Sequence, residues 1–284
     1  MRFTPLALAA VAAQSVFAAP RQLRDFGCAA PEPDAEHIKI SQGFAAQEAA
    51  AAASGNFSIQ TTTTIETYFH VVAASDTLEG GYLTDEMLTA QLETLNAAYA
   101  PHGIQFDLKG TTRTVNADWA ADGNGYEMTM KETLREGTYS TLNIYFLADM
   151  GFNLGYCYFP QSVTPGSTEY IRDGCTVLYS TVPGGSSTNF DLGHTATHEV
   201  GHWFGLYHTF QGGCNGDGDS VSDTPAQGSP TSGCPVGRDS CPEHAGVDPI
   251  HNYMDYSWDS CYEEFTVGQQ SRMMSFYTTY RANN

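Results

Sequence analysis

The densest chemistry in the sequence lies in His198-Glu199-Val200-Gly201-His202-Trp203-Phe204-Gly205-Leu206-Tyr207-His208, which fits H-E-x-x-H-x-x-G-x-x-H at every specified position. On a helix, His198 and His202 stand at i and i+4, with Cβ atoms about 5–6 Å apart on one face. Both imidazoles can then reach one metal ion at roughly 2.0–2.1 Å. Glu199 follows the first histidine, where its carboxylate can take a proton from a metal-activated water as general base. A third ligand cannot come from simple continuation of a helix that rises about 1.5 Å per residue. Gly205, lacking Cβ, can turn the chain back in the left-handed conformation and bring up His208. His194 also lies four residues before His198, but three ligands strung along one straight helix cannot share a tetrahedral ion. It is expected as a cap or neighbour of the site. An amphipathic helix with merely buried histidines would explain neither Glu199 nor Gly205.

Several elements must position these residues. Ile65–Val72 alternates with period two and reads as a strand. Thr84 caps a helix running to about Tyr99, with Met87, Leu88, Leu92 and Leu95 on one side and His102-Gly103 ending it. Ile104–Leu108 reads as a second strand, Glu127–Arg135 as a helix and Leu142–Ala148 as a strongly apolar strand. Gly155–Phe159 reads as an edge strand and Cys175–Ser180 as another. The zinc helix is expected at about 191–204, and a C-terminal helix from Thr266 to about Arg281. The expected class is α+β, with sheet and helices above a cleft and an irregular, cysteine-rich half below. An edge strand along such a cleft can pair with an extended peptide.

Farther along stands Asn252-Tyr253-Met254-Asp255-Tyr256, within the longer stretch NYMDYSWDSC. With GGSS before the zinc helix, and HTFQGGC and GDSVSDTP after it, the chain resembles the metzincin metalloproteases. Over roughly residues 60–280 it is similar to the pappalysin family, in particular its small secreted microbial members. The resemblance implies a metzincin-type zincin fold: a mixed β-sheet with helices in an upper subdomain, an irregular disulfide-rich lower subdomain, and the zinc cleft between them. It makes His198, His202 and His208 ligands of one catalytic Zn2+, Glu199 the base and Met254 the Met-turn floor. Tyr256 matches a tyrosine that stabilises the oxyanion, a role one hydroxyl donor can fill at about 3–4 kcal/mol; a structural tyrosine is the plainer alternative. Some pappalysins hold an acidic side chain near the cysteine after the Met-turn and select a basic residue; here Trp258-Asp259-Ser260-Cys261 puts Ser260 directly before that cysteine.

Seven cysteines in a chain with a leader imply disulfides and leave one over. Cys214, Cys234, Cys241 and Cys261 follow the zinc motif in a Gly-, Asp-, Ser- and Pro-rich region, and sequence alone leaves their three connectivities open. The pappalysin resemblance favours Cys214–Cys241 and Cys234–Cys261; Cys157 and Cys175 then make a third pair. Cys28 is the remainder. A thiolate is a strong zinc ligand, so Cys28 is a candidate cysteine switch, against an unpaired or intermolecular thiol. Asp217, Asp219 and Asp223 are candidate calcium ligands by carboxylate clustering and by resemblance, although the EF-hand spacing is absent; a solvated acidic turn is the alternative.

Residues 1–19 have one early arginine, an apolar run and small residues before Ala19-Pro20, the pattern of a signal peptide. No later apolar run reaches the ~18 residues of a spanning helix. Residues 20–60 are expected to form a pro-segment or tether, and 61–284 the catalytic domain. Asn56-Phe57-Ser58 is an N-glycosylation sequon, marking Asn56. With 12 basic and 32 acidic residues, the net charge of −20 argues against nucleic acid and anionic membranes as partners. The expectation is a secreted, extracellular, monomeric zinc endopeptidase acting on peptides or proteins. The competing class is a non-catalytic zinc-containing peptide-binding module, in which Glu199 would have no use. Zinc hydrolysis of a non-peptide substrate is a third class, disfavoured by the Met-turn.

Overall fold

The apolar runs assemble into one sheet, seen in a computed structural model that describes residues 27–53, 62–282 and 284. The leader at 1–19 and the sequon at Asn56 lie outside the described residues. The elements in chain order are α1 (Ala35–Ala53), β1 (Thr63–Ala73), α2 (Asp85–Tyr99), β2 (Ile104–Val115), α3 (Glu127–Leu134), β3 (Leu142–Leu147), β4 (Gly155–Cys157), α4 (Thr168–Arg172), β5 (Cys175–Leu178), α5 (His194–Trp203) and α6 (Val267–Phe276). The strand order is β2-β1-β3-β5-β4. β4 alone runs antiparallel to its neighbour and forms the sheet edge.

Each strand splits its side chains between two faces. Ile144 and Phe146 of β3 join Phe69 and Val71 of β1 against Leu88, Leu95 and Tyr99 of α2 and Val200 and Trp203 of α5. Tyr145 and Leu147 face the other way, with Met130 of α3 and Phe190. Covered on both sides, β3 is buried at every position, which is why it reads as a continuous apolar run. β2 continues to Val115 because it pairs with the full length of β1; its polar Asp107 and Lys109 and beyond hide that length from an apolar pattern. β4 stops at Cys157 rather than Phe159, since its ladder with β5 ends where Cys157 faces Cys175. Those two cysteines form a disulfide there.

Thr84 caps α2 as its residue type demands, its side chain accepting from the Met87 amide at 3.3 Å. Thr84→Ala is expected to cost about 1 kcal/mol of stability, read as a lower denaturant midpoint at unchanged slope. The C-terminal helix is regular only to Phe276 and continues as a wider π turn over Tyr277–Arg281. That turn buries Arg281, whose guanidinium spans both Asp173 carboxylate oxygens at 2.9 and 3.0 Å, donates to the Trp203 carbonyl and lies 3.9 Å over the Trp203 ring. The C-terminus of α5 is thereby tied to the rest of the core. Cys214–Cys241 and Cys234–Cys261 brace the irregular segment after α5.

The stretch expected as a pro-segment or tether holds α1. Its two buried residues, His37 and Ser41, are polar, and half-buried Ile40, Phe44, Ala45 and Glu48 mix apolar with charged, so only a weak apolar period announces the helix.

Candidate metal centre and active site

α5 begins without a side-chain cap of its own, at Gly193. Asp259 supplies one: its Oδ2 accepts from the Leu192 and His194 amides at 2.8 and 3.4 Å, a carboxylate placed on the positive end of the helix. Burial pushes its pKa up to about 7. At the other end Gly205 adopts φ +93°, with its amide bonded to the His202 carbonyl and the Leu206 amide to the Gly201 carbonyl. This is the Schellman pattern, and it turns the chain so that His208 comes back beneath His202.

The three histidines converge. His202 Nε2 lies 3.2 Å from His198 Nε2 and 3.1 Å from His208 Nε2. His198 Nδ1 stands 2.7 Å from the Tyr253 carbonyl, and His202 Nδ1 2.7 Å from the Leu206 carbonyl. A carbonyl only accepts, so each Nδ1 carries the proton and each Nε2 presents a bare lone pair. The lone pairs of His198 and His202, facing one another at 3.2 Å, repel unless a cation sits between them, and His208 Nε2 stands 3.1 Å from that of His202. A tetrahedral zinc with bonds of about 2.0–2.1 Å sets its ligand atoms roughly 3.3 Å apart. The donor set therefore fits the ion, and the carbonyls fix the tautomers of His198 and His202 as outer partners of a metal site do. Burial lowers the pKa of all three imidazoles, that of His202 to about 4, and neighbouring histidines push His198 and His208 down further.

Met254 lies against α5 at Gly201. Its sulfur packs where a Cβ on Gly201 would stand. The turn itself is held by a reciprocal amide pair, Asn252 with Gln269 of α6 at 2.8 and 2.9 Å, while Asn252 Oδ1 also accepts from the Met254 amide. Tyr256 places its hydroxyl 3.3 Å from His208 Nε2.

Cys28 completes the cluster. Its Sγ and the ligand nitrogens of His198, His202 and His208 all lie within 4.8 Å of one another; among the described residues no other such group of metal-binding side chains occurs. The thiol also donates to Glu199 Oε2 at 3.4 Å. Glu199 is fully buried, burial raises its pKa to about 8, and its Oε1 has no hydrogen-bond partner. The main chain around Cys28 adds to the sheet edge, with Ala29 N donating to Gly155 O at 2.9 Å and Leu154 N to Gly27 O at 2.6 Å. The two segments run parallel there.

Residues expected elsewhere are apart from this point. His194 is the first residue of α5 and lies against Tyr253 with ring centroids 5.2 Å apart. The three acidic-loop carboxylates are separately engaged: Asp223 with Thr266 and the Gly268 amide at the start of α6, Asp217 with Gln42, and buried Asp219 with the Val221 amide. One contributor that spacing did not single out is Gly155. A Cβ there would meet Glu199 Cγ at 2.6 Å, so only glycine lets the edge strand lie against the carboxylate; its signal is a glycine opening an edge strand. Gly155→Ala is expected to lower kcat/KM by up to about 10²-fold through displacement of Glu199, with metal content unchanged by elemental analysis.

The profile of the pregnancy-associated plasma protein-A peptidase family matches residues 130–278, from α3 through the metal cluster to α6. The chain belongs to that family. An extracellular metalloprotease of Podospora anserina is 66% identical over 100% of this chain and 99% of its own length, and one of Colletotrichum graminicola is 60% identical over 99% and 100%. Mature mirolysin of Tannerella forsythia, in complex with a cleaved peptide, shares 28% identity at a TM-score of 0.64, covering 77% of this chain and 92% of its own. A promirolysin mutant from the same organism shares 26% identity at a TM-score of 0.67 over 89% of this chain and 94% of its own. As a pregnancy-associated plasma protein-A family member this chain is an extracellular metalloprotease with the mixed-sheet metzincin fold.

Proposed function

We propose that the chain is a secreted zinc endopeptidase, made as a latent precursor, in which His198, His202 and His208 hold the ion and Glu199 is the general base. The observation that carries this is the convergence of three imidazole Nε2 atoms beside a buried carboxylate with an unpartnered oxygen. Zinc, when bound, supplies a Lewis acid that polarises a carbonyl and acidifies water. Glu199 accepts the proton of the attacking water and delivers it to the leaving amide nitrogen. The Tyr256 hydroxyl donates to the oxygen that gains negative charge. An extended substrate occupies the edge of β4, where residues 27–29 now bond.

A structural site with four protein ligands, His3Cys, is the second reading, and Cys28 would complete it. Glu199 weighs against it, because a buried carboxylate with one oxygen left unpartnered destabilises the protein unless it has chemistry to do. Residues 20–60 act as the pro-segment and 61–284 as the catalytic domain. Support comes from the wider match to promirolysin, 89% of this chain against 77% for mature mirolysin. The test is digestion of a denatured protein by the chain freed of residues 20–60, with new termini mapped by mass spectrometry. Cuts inside the substrate are expected; trimming from its ends alone, or no cleavage, refutes the proposal.

Cys28 is the latency switch in this scheme: its sulfur lies within reach of an ion held by the three histidines, and as a thiolate ligand it would block water and substrate. Cys28→Ser is expected to raise the activity of the uncut chain by at least about tenfold, since a hydroxyl is a far weaker zinc ligand than a thiolate. Unchanged latency on a fluorogenic peptide would assign the block to the strand pairing alone.

A further inference from the structure

The amino-terminal segment is held by two separable anchors. Around Cys28 the contacts are the thiol, the Tyr256 hydroxyl donating to the Cys28 carbonyl at 3.5 Å, and the main-chain bonds to β4. The run that follows is largely exposed, and between Pro31, Asp34 and His37 on one side and Tyr158, Phe159 and Arg172 on the other lies a cavity of about 420 Å3. Beyond it α1 is bound through side chains. His37, Ser41, Phe44 and Glu48 stand at i, i+4, i+7 and i+11 and so share one helix face. His37 lies flat on Phe276 at 4.7 Å, packs on Phe159 and pairs with the Tyr207 hydroxyl at 2.6 Å, while Phe44 meets Phe276 edge-on at 5.0 Å. Arg272, only 1% exposed, donates Nε and Nη2 to the two Glu48 oxygens at 3.2 and 3.0 Å and Nη1 to Ser41 Oγ at 2.6 Å. Ser275 adds a bond to Glu48 at 2.9 Å.

We propose that this groove, built by α6 with Tyr207 and Phe159, is a docking surface that recognises α1 as a separate chain, so that the severed segment stays on the catalytic unit. The occupant is residues 27–53 of this chain, and the proposal rests on the reading of 20–60 as a removable pro-segment. The forked guanidinium–carboxylate pair fixes the helix in register, and the aromatic socket supplies apolar burial and ring contacts. Losing the helix would expose three aromatic rings and strip Arg272 of its carboxylate, in a protein whose net charge is −20. A helix bearing an aromatic residue and a carboxylate four positions apart is complementary to that surface. Cutting the chain after Ala53 removes none of the contacts named above, and the helix keeps the Cys28 thiol at high effective concentration over the metal cluster. Cleavage alone therefore does not switch the enzyme on; the fragment must also leave or be destroyed.

The test uses the full chain with a specific endoprotease site in place of residues 54–61, in a Glu199→Gln background that prevents self-digestion. After folding and cutting, the fragments are separated by gel filtration at about 1 μM. The N-terminal fragment is expected to co-elute with the catalytic unit, and to do so with Cys28→Ser as well. Phe44→Ala with Glu48→Ala is expected to weaken association more than tenfold, the usual scale for removing two central anchors, and to release the fragment. A labelled 35–53 peptide carrying Glu48→Ala, competed against the unaltered peptide, gives the same comparison should that variant misfold. Release on cutting alone, release caused by Cys28→Ser, or equal binding of the altered peptide overturns the proposal. Co-elution needs no catalysis, so retention of the fragment by a chain that digests nothing when freed of it refutes the endopeptidase and leaves the docking surface standing.

Discussion

Glu199→Gln is expected to lower kcat by about 10²–10⁴-fold, the range for loss of a positioned general base, while zinc remains bound. Glutamine has nearly the shape of glutamate, and shape matters at this position. The side chain is fully buried on α5 with its Cγ pressed against Gly155 of the edge strand. The substitution leaves the carbonyl-oriented rings of His198 and His202, and His208 beside them, in place and removes only the ability to take and return a proton. KM for a fluorogenic peptide is expected to stay within a few-fold of its original value, because the amide fills the same space. Parallel elemental analysis separates a lost base from a lost metal. Equal turnover by the variant and the unaltered enzyme would remove Glu199 from the chemistry.

The second large effect is at Tyr256. Tyr256→Phe is expected to lower kcat by about 10²–10³-fold with KM little changed, the mark of a donor that acts on charge present only in the transition state. The phenyl ring retains its edge contacts with His208 at 5.0 Å and Phe210 at 4.8 Å, so the metal cluster keeps its support. Burial raises the phenol's pKa above its ordinary value, and the group therefore remains a donor throughout the working pH range. A structural tyrosine would behave oppositely: kcat would hold and the denaturant midpoint would fall. Measuring both quantities on one preparation distinguishes the two.

The parts of this site that spacing revealed are those governed by local geometry. Two histidines four apart on a helix, a glutamate between them and a glycine that ends the helix depend on a few consecutive residues, and the structure brings the histidines to one point, with the glycine turning the chain as expected. The same holds for Thr84 and α2. What spacing could not reveal depends on contacts distant in sequence. The carbonyls of Tyr253 and Leu206 orient the ligands, yet a backbone carbonyl leaves no trace in residue type. Asp259 stands two residues before the cysteine that follows the Met-turn, yet its carboxylate turns to the start of α5. The acidic loop reads as one cluster, but its three carboxylates go to α1, to the loop itself and to the start of α6. α1 left little trace because the two residues it buries are a histidine and a serine and its anchoring charge is a glutamate, received by Arg272 and the Phe276 socket. Burial of polar residues by specific partners is a tertiary event that binary patterning does not encode.

The most direct measurement is a zinc titration of the metal-stripped catalytic unit, freed of residues 20–60, while it digests a denatured protein. Activity is expected to be absent before zinc is added, to rise in proportion to the metal and to break at one zinc per chain. Digestion that survives stripping, or a titration that restores none, would contradict a catalytic zinc held by His198, His202 and His208.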